Sequence, residues 1–149
     1  MAFSLKKSPE VIALLLELGA DPDPQGLSMI IESLRSRGTR PTYRCRHSTE
    51  IVRMLINAGA DVNHENKRGY SPLLTAAQNC CEHNLDIIPM LLSAGAKPEA
   101  RGAVQGASGV MAPVLRAARE NEALQGTHAL ELIEKAVAAA EIKSAIVKR

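Results

Sequence analysis

Apolar positions along this chain fall at helical rather than strand spacing, and the same block returns three times. It runs from Glu10-Val11-Ile12 to Leu18-Gly19-Ala20-Asp21, from Glu50-Ile51-Val52 to Ala58-Gly59-Ala60-Asp61, and from Asp86-Ile87-Ile88 to Ala94-Gly95-Ala96-Lys97. The glycines are 40 and 36 residues apart, and periods of that size belong to stacked supersecondary units. Each block opens on an acid, which suits the positive end of a helix, and closes on Gly, which accepts the left-handed conformation of a helix terminator. Ser8, Ser48 and Asn84 stand two residues before the acids as expected N-caps, with Pro9 at a first helical position.

A second series lies between these blocks: Gly26-Leu27-Ser28-Met29-Ile30-Ile31, Gly69-Tyr70-Ser71-Pro72-Leu73-Leu74-Thr75-Ala76-Ala77, and Val110-Met111-Ala112-Pro113-Val114-Leu115-Arg116-Ala117-Ala118. Pro near a helix start and Ala pairs in its body describe a short, closely packed inner helix. Each unit is then a turn, an inner helix and an outer helix. This pattern resembles the ankyrin repeat, most clearly at Asp61, Asn63, Gly69, Ser71, Pro72, Leu73, Ala76 and Ala77. The resemblance implies an all-α ankyrin-repeat solenoid of about three to four helix-turn-helix repeats with short hairpin fingers. It implies one domain over residues 1–149: an outer helix with a truncated inner one (1–20), repeats at about 26–61 and 69–97, and a closing pair at about 110–147.

Departures from the family pattern carry their own expectations. The Thr and His that tie successive ankyrin repeats together are here Ser28, Ser71 and Ala112, and Ile31, Leu74 and Leu115, so apolar packing is expected to replace their hydrogen bonds. The last finger, with Gly102, Gly106 and Gly109, is expected to be longer and mobile. The final outer helix has no Gly stop and is expected to run on through Ala138, Ala139, Ala140 and Ile142 as a cap.

The repeat spacing exceeds the usual 33 residues or so, and the surplus is expected between inner and outer helices. The first insertion, roughly 35–47, carries Arg35, Arg37, Arg40, Arg44 and Arg46 with Tyr43 and no acid; the second holds Cys80, Cys81, Glu82 and His83; the third spans roughly 119–127. Arginines around a Tyr suit phosphates or acidic side chains, and equally suit a solvated loop. Cys45, His47, Cys81 and His83 have the chemistry of a tetrahedral zinc site but not its Cys-x-x-Cys spacing, and small buried thiols read as well. No metal is expected.

Composition narrows the rest. Hydrophobic residues make up 46% of the 149 but aromatics only 2%, so the core must be aliphatic, which favours helix. A net charge of +2 and few aromatics do not supply the continuous basic stripe that nucleic acid needs. Three Cys, an odd count, point to free thiols in a reducing, cytoplasmic setting. Lys6 and Lys7 before Val11 to Leu16 mimic a secretory signal, but Glu17 interrupts the run and the same segment recurs inside the chain.

Catalysis finds no foothold: there is no nucleophile elbow, phosphate-cradling Gly loop or His-Glu-x-x-His pattern, so a non-enzyme without cofactors is expected. The resemblance implies an adaptor, scaffold or inhibitor, a monomer that binds a partner protein. Its groove positions would be Glu32, Arg35, Thr75, Gln78, Asn79, Arg116, Arg119 and Glu120, with His64, Glu65, Lys67, Arg68 and Tyr70 on the fingers. An acidic partner surface would meet Arg40, Arg44 and Arg46. Two other classes stay open: a metal-stabilised, anion-binding or nucleic-acid-binding module using the insertions, and a structural piece of a longer ankyrin array.

Overall fold

The computed structural model of the protein describes residues 9–22, 44–66, 69–80, 84–98 and 113–147. Within them the order is α1 (Pro9–Glu17), α2 (Arg44–Asn57), α3 (Pro72–Asn79), α4 (Ile87–Ser93), α5 (Pro113–Glu120), a 3-10 turn (Glu122–Leu124) and α6 (His128–Val147). No strand occurs among the described residues, and the helices stack as the all-α repeat solenoid expected.

Local chemistry sets the helix ends. Pro9, Pro72 and Pro113 each occupy the first helical residue, where a missing N–H costs nothing. Ser71 caps α3, its Oγ accepting from the Leu74 N–H at 3.2 Å. The stops are three copies of one device. Gly19, Gly59 and Gly95 have φ of 81°, 91° and 91°, and each donates to a carbonyl three residues back. The following Ala20, Ala60 and Ala96 donate five back, to Leu15, Leu55 and Leu91, at 2.9 Å each. That is the Schellman pairing, which satisfies carbonyls a helix end would leave orphaned.

Two expected caps move. Helix α2 begins at Arg44, so Ser48 lies inside it rather than at its start, and Arg44, Cys45, Arg46 and His47 have helical backbone instead of forming a loop. Nothing in Arg-Cys-Arg-His breaks a helix, and Arg is a good helix former. The cap of α4 is Asp86 rather than Asn84, and Asn84 is buried in the turn before it, its carbonyl accepting from the Ile87 N–H at 3.2 Å. The Ser8 cap, the long third finger and the rest of the first insertion lie outside the described residues.

The helices form two layers. Outer helices α1, α2, α4 and α6 pack side by side in that order; inner helices α3 and α5 stack on each other, and each packs on the outer helix that follows it. The core between them is aliphatic, with Ile51, Leu55, Leu73, Leu74, Ile87, Ile88, Leu91 and Leu124 essentially sealed from water. Each such side chain contributes roughly 2 kcal/mol on burial. Leu124 anchors the third insertion, which is therefore a packed 3-10 turn and not a free loop.

Apolar packing is not the sole tie between repeats, as the loss of the family's Thr and His had suggested. The Asn121 amide donates to the carbonyls of Ala77 and Cys80 at 3.0 Å each, and its Oδ1 accepts from the Ala123 N–H. It thus clamps the end of α3 to the end of α5. Asn63 does the same one level out: its Nδ2 donates to Gly95 O at 3.1 Å and its Oδ1 accepts from the Lys97 N–H at 2.7 Å. Two asparagines carry hydrogen bonding that the sequence had seemed to discard.

Candidate functional site

The stacked inner helices and the finger before α3 present the surface in question. Gln78 and Arg119 each stand six residues after the proline that starts their helix, on two inner helices that pack together and whose ends the Asn121 amide joins. Gln78, Arg116, Arg119 and Glu120 are exposed, while Asn79 is half-buried. Thr75 is different. It is buried, and its hydroxyl donates to the Ser71 carbonyl at 2.9 Å. It therefore serves the packing of α3.

The charged groups of α5 are already organised. Arg116 Nε donates to Glu120 Oε1 at 2.9 Å one turn along the same helix. Arg119 reaches across to α6, with Nε and Nη2 on Glu134 Oε1 at 3.2 and 2.8 Å. The Gln125 amide meanwhile donates to the Arg119 carbonyl. All four ion-pair side chains are about half exposed, so the pairs add little stability. They aim the Arg116 guanidinium along α5 and the Arg119 guanidinium toward α6. Glu134 was not foreseen; a polar residue half-buried beside the Ile133 and Val137 stripe gives no periodic signal of its own.

On the finger, Tyr70 packs half-buried against the core. Its N–H donates to Asn66 Oδ1 at 3.1 Å and its carbonyl accepts from the Asn66 N–H at 3.0 Å, closing a hairpin with Gly69 at φ 75°. An Asp61 carboxylate accepting from the Asn63 N–H at 2.9 Å shapes the preceding turn. His64 is half-buried and Glu65 exposed. Lys67, Arg68, Glu32, Arg35 and Arg40 lie outside the described residues, as do the side chains of Arg44 and Arg46.

Of the thiol and imidazole set, Cys81 and His83 lie outside the described residues, and Cys45 and His47 are described in backbone alone. Cys80 is buried, and its Sγ donates to the Asn84 carbonyl at 3.5 Å. Among the described residues no group of His, Cys, Asp and Glu is arranged to hold a metal, and no helix is long and apolar enough to cross a membrane.

A family model described as ankyrin repeats (3 copies) matches residues 1–102. The chain belongs to the ankyrin-repeat family. Ankyrin repeats generally mediate protein–protein interaction and are typically non-enzymatic. The match ends before α5 and α6, yet those helices continue the ankyrin stack, α5 on α3 and α6 on α4. No curated protein matches the chain.

Proposed function

We propose that this ankyrin-repeat protein is an adaptor, scaffold or inhibitor without catalytic activity, and that it binds a protein partner across its inner helices and fingers. What supports this reading is that Gln78, Arg116 and Arg119 are exposed on two inner helices whose ends the Asn121 amide ties together, with Arg116 held by Glu120. A rigid, exposed and polar row of this kind costs little to order on binding. The surface residues of this reading are Gln78, Asn79, Arg116, Arg119 and Glu120 with Tyr70 and His64, joined by Arg35, Lys67 and Arg68 from the finger and insertion sequences. An acidic partner surface near Arg40, Arg44 and Arg46 would speed encounter more than it would tighten the complex. One domain over 1–149, acting in the cytoplasm, completes the proposal.

The test compares two alanine sets once a partner is captured: Gln78, Arg116 and Arg119 together, and Arg40, Arg44 and Arg46 together. The inner-helix set is expected to weaken binding at least tenfold at both physiological and raised salt. The arginine set should slow association, with an effect that fades as salt rises. If the first set leaves affinity unchanged while the second abolishes it, the insertion edge is the binding site and this assignment fails.

A further inference from the structure

We draw no further inference here: the strongest candidate, the Arg44 to His47 turn that opens α2 with two arginines, a histidine and no acid, rests on a helix N-terminus whose side chains lie outside the described residues, and nothing in the structure shows an anion or a partner against it.

Discussion

Replacing Asn121 with Ala removes the clamp between the two inner helices and little else. Three hydrogen bonds go: those from Nδ2 to Ala77 O and Cys80 O at 3.0 Å each, and that from the Ala123 N–H to Oδ1 at 3.1 Å. At about 1 kcal/mol net apiece for partly buried neutral bonds, the loss is about 2–3 kcal/mol. For a chain of this length that lowers Tm by roughly 5–10 °C. Equilibrium urea unfolding gives the direct measure, with the midpoint falling and the slope unchanged. Asn121→Asp sharpens the test. It keeps an acceptor for the Ala123 N–H but turns the donor into a carboxylate facing two carbonyls. It should be at least as destabilised as the alanine variant at neutral pH. An alanine variant within about 0.5 kcal/mol of wild type, or an aspartate variant as stable as wild type, would show that apolar packing alone holds the repeats together.

Asn63→Ala breaks the equivalent tie to Gly95 O and the Lys97 N–H; at this exposed site the cost should be about 1 kcal/mol. Combined with Asn121→Ala it should add nearly independently, because the two clamps share no partner; paired urea titrations check both points. Gly59→Ala should cost about 1–2 kcal/mol from backbone strain alone, since a Cβ at this φ of 91° meets no atom within 4 Å; a variant as stable as wild type would mean that the left-handed stop is not needed.

What could be read in advance was local. The proline starts at Pro9, Pro72 and Pro113 and the glycine stops at Gly19, Gly59 and Gly95 are single-residue effects of φ and missing donors, visible wherever the chain is read. The layered helix order followed from their recurrence. Where the reading failed, the deciding interaction was non-local or a competing signal was overvalued. Ser48 looked like a cap, but no residue in Arg44 to His47 opposes helix, so α2 gained a turn. Asn121 looked like insertion sequence because its partners lie 41 and 44 residues away, a distance at which periodicity carries no information.

The same limit applies to the site. Gln78 and Arg119 could be placed on the inner helices from their position after the Ala pairs, and both are exposed there. The burial of Thr75 could not be read in this way, since exposure at that position depends on whether its hydroxyl turns back to Ser71, as it does. The Arg119 to Glu134 bridge joins two helices that only packing brings together.

The central claim, that partners bind across the inner helices and fingers, is most directly tested by amide hydrogen exchange of the chain with and without its captured partner. Binding at this surface should slow exchange in the finger around Asn66 and Tyr70 and through α3 and α5, with the outer helix α2 unchanged. Protection confined to the segment between residues 35 and 47, with α3 and α5 exchanging as in the free protein, would contradict it.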